Sequence, residues 1–313
     1  MNPSVSVIIP NYNHAPFLKE RIDSVINQHY DNFEVIILDD CSKDNSREVI
    51  EQYRNHPKVK HIVYNEANSG STFIQWHKGF RLAEGEYIWI AESDDVADLD
   101  FLAKLTAAIN GDKSITIAAS ALYYIDEQGK VTGKGSISKT KKTKYYSGKD
   151  FIKSNMLLGN HLLNASSAII RKSAIQDIPS NYTKLRASGD YLFWIELANC
   201  GNVLEVPLPL DYFRRSSSCV TPRLYASGVA FEEAHIVYDR LREMGYATGY
   251  YRHVLIGFRL WQISNSTRFS SADIKKHCLD IWKKETRTPK LDIALCYFHG
   301  AMRKTGRIIR NLW

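Results

Sequence analysis

Two stretches decide the fold: Val5-Ser-Val-Ile-Ile-Pro-Asn-Tyr-Asn13 and Phe33-Glu-Val-Ile-Ile-Leu-Asp-Asp40. Each begins with a short apolar, β-branched run and ends in polar residues, which is typical of a strand buried on both faces of a parallel sheet. Between them, residues 15–28 carry apolar side chains at helical spacing and predict an amphipathic helix. This strand–helix–strand order predicts the start of an α/β fold.

The alternation continues beyond these stretches. Further elements are predicted as strands at 59–64, 87–91 and 165–171, helices after 42–46 and over 72–83 and 190–198, and a surface loop over 130–149. Strands and helices joined by short loops predict a mainly parallel central sheet with helices on both faces.

Charge is distributed unevenly along the 313 residues. Residues 225–313 contain 15 Lys and Arg against 8 Asp and Glu, so this part carries the whole formal net charge of +7. A uniformly basic nucleic-acid-binding protein would not show this division. We therefore predict a neutral domain over residues 1–224, a basic helical region over 225–313, and no nucleic-acid partner.

Cysteine usage and hydropathy indicate the compartment. The five cysteines are odd in number and include no Cys-x-x-Cys pair, which disfavours a disulfide framework or a zinc site and favours a reducing compartment. No run approaches the roughly 18 consecutive apolar residues of a membrane-spanning helix. Residues 1–10 also lack the pattern of a signal peptide. We therefore expect a cytoplasmic protein.

Three polar clusters follow predicted strands: Pro10–Asn13, Asp39–Asp44 and Glu92–Asp95. In parallel sheets such segments meet at one edge, where ligands bind. An isolated acidic pair is equally well explained by a turn and a helix cap. Two acidic clusters at one edge, however, repel each other unless a cation or a donor lies between them. Carboxylate oxygens suit Mg²⁺ or Mn²⁺, with a phosphorylated ligand completing the coordination.

Motifs of several other enzyme classes are absent. The sequence contains no G-x-G-x-x-G after the first strand, no G-x-x-x-x-G-K-[ST], no G-x-S-x-G and no H-E-x-x-H. A phosphoacceptor signalling domain also collects acidic residues at strand ends, but it would be far shorter and its acidic pair would follow the first strand. These absences disfavour dinucleotide-binding, P-loop, α/β-hydrolase and zinc-protease functions.

In combination, the motifs resemble a known family. The segments Val5–Asn13, Phe33–Ser46 and Gly85-Glu-Tyr-Ile-Trp-Ile-Ala-Glu-Ser-Asp-Asp95 are similar to those of family 2 glycosyltransferases with the GT-A (Rossmann-like) fold, over roughly residues 4–220. The resemblance implies a hexosyltransferase-type enzyme that transfers a sugar, with inversion, from a nucleotide-diphosphate donor (a UDP-sugar favoured) to a glycan or lipid-linked acceptor. Cell-surface polysaccharide biosynthesis is the implied setting. The alternative is a non-catalytic relative that binds a glycan or a nucleotide-sugar.

The resemblance also implies site residues at the strand ends. Candidates for nucleotide-sugar binding are Pro10, Asn11, Tyr12, Asn13, Asp39, Asp40, Lys78, Glu92, Ser93, Asp95, Arg214 and Arg215. Asp39 or Asp40 would accept a hydrogen bond from the base, and ungapped counting from the first strand favours Asp40. Glu92-Ser93-Asp94 stands at the family's D-x-D metal motif. Asp94 is therefore the expected direct ligand of Mg²⁺ or Mn²⁺, with Glu92 in place of the commoner Asp.

Two segments depart from the family pattern. Where the family often has Ala-Arg-Asn, this chain has Gln75-Trp-His-Lys-Gly79, so Trp76 or His77 falls at the Arg position. Lys78 or Arg81 would then replace that Arg, and the alternative for Trp76 is a core residue. Arg214-Arg215 lacks the His that often follows, and it is either a phosphate clamp or a solvated turn.

The later motif Ser188-Gly-Asp-Tyr-Leu-Phe-Trp194 resembles the family segment in which an acidic residue opens a helix with aromatic side chains. The resemblance implies that Asp190 is the general base, taking the acceptor hydroxyl proton as the oxygen attacks the anomeric carbon. A helix N-cap is the alternative role for Asp190.

The last 17 residues, 297–313, contain no acidic side chain. On a helix, one face would carry Phe298, Met302, Ile308, Ile309 and Leu312, and the other face would carry Arg303, Lys304, Arg307 and Arg310. This pattern predicts a helix in the membrane interface, at the inner face of the plasma membrane. A helix docked on the protein body with a basic outer face is the alternative.

Overall fold

The computed structural model describes residues 2–135, 142–215 and 220–304. The chain divides into two compact units. The sheet unit comprises Met1–Phe151, Asn160–Leu185 and Gly189–Ser218, and the helical unit comprises Ile152–Gly159, Arg186–Ser188 and Cys219–Trp313. The predicted boundary between residues 224 and 225 stays a prediction.

The sheet unit alternates strands and helices along its first hundred residues. Its strands are β1 (Val5–Asn11), β2 (Phe33–Asp39), β3 (Val59–Tyr64), β4 (Tyr87–Ile90), β5 (Val96–Ala97), β6 (Ile115–Ile125), β7 (Val131–Gly135), β8 (Lys144–Tyr146), β9 (Ala168–Arg171) and β10 (Asn202–Arg214). Its helices are α1 (Ala15–Ile26), α2 (Ser46–Glu51), α3 (Thr72–Leu82), α4 (Phe101–Ile109), α5 (Gly148–Phe151), α6 (Lys172–Ile175) and α7 (Gly189–Asn199).

The strands form one sheet in the order β3-β2-β1-β4-β9-β6-β10-β5, with β7 added to β6 and β8 to β10. The block β3-β2-β1-β4 and the long β6–β10 pair are parallel, whereas β9 runs antiparallel between β4 and β6. The α/β fold class predicted from the sequence is therefore confirmed.

Burial on both faces of the sheet explains why β1 and β2 consist mainly of apolar residues. All seven residues of β1 are buried, and β2 is buried except at one position, as expected for strands covered on both faces. Leu18, Ile22 and Val25 of α1 are fully buried in the same core as these strands. The 3.6-residue periodicity thus places α1 against the sheet.

Two expectations about local structure need correction. The segment 130–149 is not only a loop, because it contains β7 and β8, which pair with β6 and β10. Its Gly- and Lys-rich composition hid short strands at the edge of the sheet, where charged and small residues are common. The strand predicted over 165–171 begins at Ala168, after a 3₁₀ turn at Ala165–Ser167.

The helical unit contains, in its described part, α8 (Thr221–Ala226), α9 (Val229–Glu243), α10 (Gly249–Asn265), α11 (Ala272–Lys283) and α12 (Pro289–Lys304). Val254, Ile256 and Ile263 of α10 and Trp282 of α11 are fully buried. As predicted, no strand follows residue 224 within 225–304. None of the helices in the described ranges combines the length and the apolar composition that crossing a bilayer requires.

Candidate active site at the strand ends

The candidate site lies where β1, β2 and β4 end. β1 pairs in parallel with β2 on one side and β4 on the other, and its register places Asn11 opposite Asp39. The ends of these strands therefore bring residues 10–13, 39–44 and 92–95 to one edge of the sheet. This edge is the usual ligand position in open α/β sheets.

Asp39 organises the turn that follows β2. Its Oδ1 accepts hydrogen bonds from Asn11 Nδ2 at 2.8 Å and from Ser42 Oγ at 2.6 Å, and its Oδ2 accepts from the Ser42 N–H at 3.0 Å. A carboxylate offers about four lone-pair sites, and the described residues occupy three of them on Asp39. Asp39 is buried, and these contacts fix its orientation.

The turn after β1 is bound to the turn after β2. Asn13 has a left-handed backbone with φ 55°, donates its N–H to Ser42 Oγ, and accepts from the Lys43 N–H through its side chain. Pro10 and Asn11 are buried, whereas the Tyr12 side chain is 42% exposed. Tyr12 is thus the aromatic side chain of this segment that a ligand can reach.

Asp40 is saturated by donors of the protein itself. Its carboxylate accepts from the side chains of Asn65, Asn68, Ser69 and Gln75 and also from the Ser69 N–H, at 2.6 to 3.1 Å. These bonds use every lone-pair site that a carboxylate offers. Asp40 therefore holds the loop between β3 and α3. Which of Asp39 and Asp40 accepts from the nucleotide base stays a prediction, and of the two carboxylates Asp39 has fewer contacts with the described residues.

Helix α3 joins the two acidic clusters. Gln75 reaches Asp40, while Trp76, which is 2% exposed, donates its Nε1–H to Glu92 Oε1 at 2.8 Å. The Trp76 ring also packs against Phe73, Phe193 and Trp194. Trp76 is therefore a core residue, as the alternative interpretation held, and in addition it orients Glu92.

Lys78 lies on the Asp40 side of α3. Its ammonium group donates to Asn65 Oδ1 at 2.5 Å, and the same Asn65 donates to Asp40. Arg81 is exposed. Of the two cations proposed to replace the family's usual Arg, Lys78 is the one connected to the strand-end network.

Glu92 and Asp94 differ sharply in their contacts. Glu92 is held by Trp76, and burial, with the neighbouring Asp94 carboxylate as a further cause, raises the pKa of Glu92 to about 8. Within the described residues, the Asp94 carboxylate has no hydrogen bond and no ion pair. Two crowded carboxylates, one of them unpartnered, form an oxygen-donor set that a divalent cation would stabilise.

A buried charge cluster below this loop was missed by the sequence analysis. Arg21 is fully buried; its Nε donates to the Glu92 carbonyl at 2.8 Å, and its Nη2 lies 3.6 Å from Asp95 and 4.0 Å from Asp211. Asn164 donates to both carboxylates. Burial raises the pKa of Asp95 to about 6 and the pKa of Asp211 well above its ordinary value.

The sequence did contain a signal for Arg21. It lies three residues after Leu18 and four before Val25, which places a charge inside the apolar stripe of α1. A buried Arg needs buried partners. Asp95 accepts from Ser166, Asn164 and the Arg214 N–H, and its predicted contact with the nucleotide-sugar stays a prediction. The environment of Asp95 is that of a support for the loop.

The two arginines at the end of β10 have different environments. Arg214 is buried and donates to the carbonyls of Asp94, Asp126 and Glu127 and to the Glu20 carboxylate. Arg215 is exposed, and its guanidinium lies over the rings of Tyr124 and Phe213. The phosphate contact predicted for Arg215 stays a prediction, whereas the Arg214 contacts are those of a residue that fixes the Asp94 backbone.

Ser93 and Asp190 complete the predicted set. Ser93 is buried, and its Oγ lies 2.8 Å from His14 Nδ1. Asp190 is half-buried in the first turn of α7; its Oδ1 accepts from the Tyr191 N–H at 2.7 Å and its Oδ2 accepts from Asn160 Nδ2 at 2.8 Å. A side chain at Gly189 would clash, because its Cβ would lie 2.4 Å from the Phe73 ring. Gly189 thus allows α7 to begin close to α3.

Comparisons with known proteins agree with this architecture. The model of Glycosyl transferase family 2 matches residues 6–178. The putative teichuronic acid biosynthesis glycosyltransferase TuaG of Bacillus subtilis is 38% identical over 102 residues, which is 33% of this chain and 40% of that protein. For the first three curated relatives, the matched part spans 40% to 64% of the relative's length.

Solved structures share the fold over nearly the whole chain. S. aureus TarS 1-349, crystallised with UDP-GlcNAc, superposes with a TM-score of 0.72 at 18% identity, covering 98% of this chain and 93% of that one. The mannosyltransferase PcManGT of Pyrobaculum calidifontis, in complex with GDP-Man and Mn²⁺, superposes with a TM-score of 0.52 at 15% identity, covering 100% and 88%. Because the family model covers more than half of the residues, the chain belongs to glycosyl transferase family 2.

Proposed function

We propose that this protein is an inverting glycosyltransferase that uses a divalent cation and a nucleotide-diphosphate sugar. The observation that carries the proposal is the Asp94 carboxylate, which has no partner among the described residues and lies two residues from the oriented Glu92. Oxygen donors of this type suit Mg²⁺ or Mn²⁺. When bound, such a cation neutralises the negative charge that develops on a diphosphate leaving group.

The chain's own residues would bind the donor at the strand ends. Asp39 has one acceptor position that no described residue occupies and that a base N–H would use, and Tyr12 offers an exposed ring beside it. Lys78 and Arg215 are the cations available for phosphate oxygens. Asn13 shapes the pocket through its bonds to the second turn. A UDP-sugar is the favoured donor, and the TarS complex with UDP-GlcNAc supports this choice.

Asp190 would act as the general base. Its Oδ2 has an amide donor in Asn160, which orients the carboxylate without neutralising it. The carboxylate would accept the proton from the acceptor hydroxyl as that oxygen attacks the anomeric carbon. Attack from the face opposite the departing diphosphate gives inversion.

The acceptor is proposed to be a growing cell-surface polysaccharide or a lipid-linked glycan. Support comes from the relative TuaG, whose name assigns it to teichuronic acid biosynthesis. Peripheral contact with the inner face of the plasma membrane belongs to the same proposal. Tyr297 and Phe298 of α12 are 61% and 57% exposed, while residues 305–313 of the predicted interfacial helix lie outside the described residues.

Donor binding tests the proposal directly. We expect one nucleotide-sugar out of a UDP-, GDP-, CMP- and dTDP-sugar series to raise the Tm, with Mn²⁺ increasing the shift, because a ligand of the native state stabilises it by mass action. In Asp94→Asn, Mn²⁺ should no longer increase the Tm shift that the donor causes. Product analysis with the same donor would then establish transfer and the anomeric configuration.

Three outcomes would contradict parts of the proposal. No Tm shift with any donor would argue against a nucleotide-sugar site. Donor binding without transfer to any glycan acceptor would favour the non-catalytic relative. The third test is sedimentation with vesicles, with Ile236→Ser on α9 as the control. If Tyr297→Ser/Phe298→Ser sediments as much as this control, the result would argue against the proposed membrane contact.

A further inference from the structure

The helical unit contains a cleft of its own, with a volume of about 360 Å³. This volume lies within the range of small-molecule sites. The cleft forms where the end of α11 leads into the start of α12 beside α10. It is lined by Arg252, His253, Lys284, Glu285, Thr286, Arg287 and Thr288.

The charge of the cleft is positive and largely unpaired. Lys284 and Arg287 are exposed, and within the described ranges neither side chain has an ion pair or a hydrogen bond. Glu285 is the carboxylate of the lining, but it is engaged by His235, Tyr238 and Arg242. Arg252 donates to the Glu285 carbonyl. The lining thus presents several cations and no free anion.

His253 is held in place by a buried carboxylate. Its Nδ1 lies 2.6 Å from Asp292 Oδ1, and Asp292 is fully buried. Because a carboxylate accepts, the ring donates from Nδ1, and Nε2 is the nitrogen left for a ligand. The second Asp292 oxygen has no hydrogen-bond partner in the described part of the chain. A buried carboxylate that is only half satisfied is costly, which suggests that it serves to orient His253.

A glycine on α10 makes the contact between His253 and Asp292 possible. Gly257 lies four residues after His253 on the same face of α10, and a Cβ there would lie 2.0 Å from the Asp292 carbonyl oxygen. The first turn of α12 can therefore approach α10 closely enough for Asp292 to reach His253. The N-terminus of this 16-residue helix adds partial positive charge beside Thr288.

We propose that this cleft binds a phosphoryl group of a small phosphorylated ligand through Lys284, Arg287 and His253. A phosphoryl group offers more acceptor oxygens than a carboxylate, which suits a forked guanidinium, an ammonium and an imidazole together. Thr286 and Thr288, which also line the cleft, offer hydroxyl groups as further donors. This proposal goes beyond sugar transfer, and its test measures binding alone.

The test is calorimetry of the full chain at low ionic strength with inorganic phosphate and with glycerol 3-phosphate. Lys284→Gln/Arg287→Gln should weaken binding of both probes by roughly tenfold or more, the share of one charge-assisted hydrogen bond. The matched control is Arg223→Gln/Lys276→Gln, which removes the same charges from exposed positions of the same unit. That control should bind like the wild type, and both double variants should keep the Tm.

Three results would overturn the proposal. One is no heat of binding with either probe. Another is equal weakening in the two double variants, which would show a general charge effect. The third is loss of sedimentation with phosphatidylglycerol vesicles in Lys284→Gln/Arg287→Gln without any binding of the soluble probes, which would assign these cations to a lipid surface.

Discussion

The acidic residues at the end of β2 and on the loop after β4 look alike in sequence, but the carboxylate of Asp94 has a different environment from those of Asp39 and Asp40. Asp39 is the last residue of β2 and Asp40 follows it, and protein donors surround both carboxylates. Asp94, on the loop after β4, has no such donor among the described residues. The number of donors that the fold supplies therefore separates a carboxylate that shapes a loop from one that is available to a cation.

The strongest test of this comparison is Asp94→Asn. If Asp94 binds the divalent cation, turnover should fall by about 10⁴-fold, since metal charge stabilisation contributes several kcal/mol and each 1.36 kcal/mol is tenfold. The Tm without metal should stay the same, because no protein contact is lost. Turnover of the wild type in excess EDTA should fall in parallel, and full activity in either case would exclude a metal role for Asp94.

The next effect is expected at Asp190. Asp190→Asn should lower turnover by roughly 10²–10⁴-fold, the usual share of a positioned base, with little change in donor affinity. The structure adds a control. The new amide would face the Asn160 amide, so part of any loss could come from that contact. Asn160→Ala removes the same contact and keeps the carboxylate.

Asn160→Ala should lower turnover less than Asp190→Asn does, because the carboxylate stays. If Asp190→Asn leaves turnover and Tm near those of the wild type, Asp190 is a structural cap and not the base. In that case the search for the base would move to Asp95 and Glu196. Asp95 is hydrogen-bonded on both oxygens, and Glu196 is buried in α7.

Asp40→Asn should act on stability more than on chemistry. The buried carboxylate accepts hydrogen bonds from four side chains and one backbone N–H. In the Asn variant, an NH₂ group would replace one of the accepting oxygens and would face these donors without a hydrogen bond. We expect a loss of about 3 kcal/mol in the free energy of unfolding. Asp39→Asn, with fewer donors to lose, should destabilise less but weaken nucleotide binding more. Denaturant unfolding would measure the stability loss of each variant, and calorimetry would measure its affinity for the donor. A larger stability loss in Asp39→Asn, or a larger affinity loss in Asp40→Asn, would contradict these assignments.

How far the sequence reaches can be judged from these same residues. Apolar β-branched runs and 3.6-residue spacing were enough to predict β1, α1 and β2, because burial on both faces leaves a strong local pattern. The ends of these strands could be placed at one edge, because the predicted sheet is parallel. The position after an apolar strand marked Glu92–Asp95 as a polar cluster, and the resemblance to family 2 glycosyltransferases marked Asp190, whose role stays a prediction.

The number of donors around each carboxylate could not be predicted. The partners of Asp40 lie 25 to 35 residues away in sequence, and Arg214 reaches the Asp94 carbonyl across 120 residues. Such contacts depend on how the loops close, which no local pattern encodes. Asp211 was missed for this reason, whereas Arg21 was missed although its position in the apolar stripe of α1 marked it. The burial of Arg214 was not predicted either, and its contact with a phosphate stays a prediction.

The smallest expected effect concerns Trp76, which connects the two clusters through α3. Trp76→Phe keeps an aromatic ring among Phe73, Phe193 and Trp194 but removes the Nε1–H that orients Glu92. If this bond prepares Glu92 for the cation, the Mn²⁺ concentration for half-maximal activity should rise about tenfold, the value of one hydrogen bond to a charged group. The turnover number at saturating Mn²⁺ should change little. Trp194→Phe is the matched control, because it removes the same indole volume from the same cluster. The buried Nε1 of Trp194 has no hydrogen-bond partner among the residues that the structure describes. Packing alone predicts equal effects for the two substitutions, whereas a role in orienting Glu92 predicts a metal effect for Trp76→Phe only.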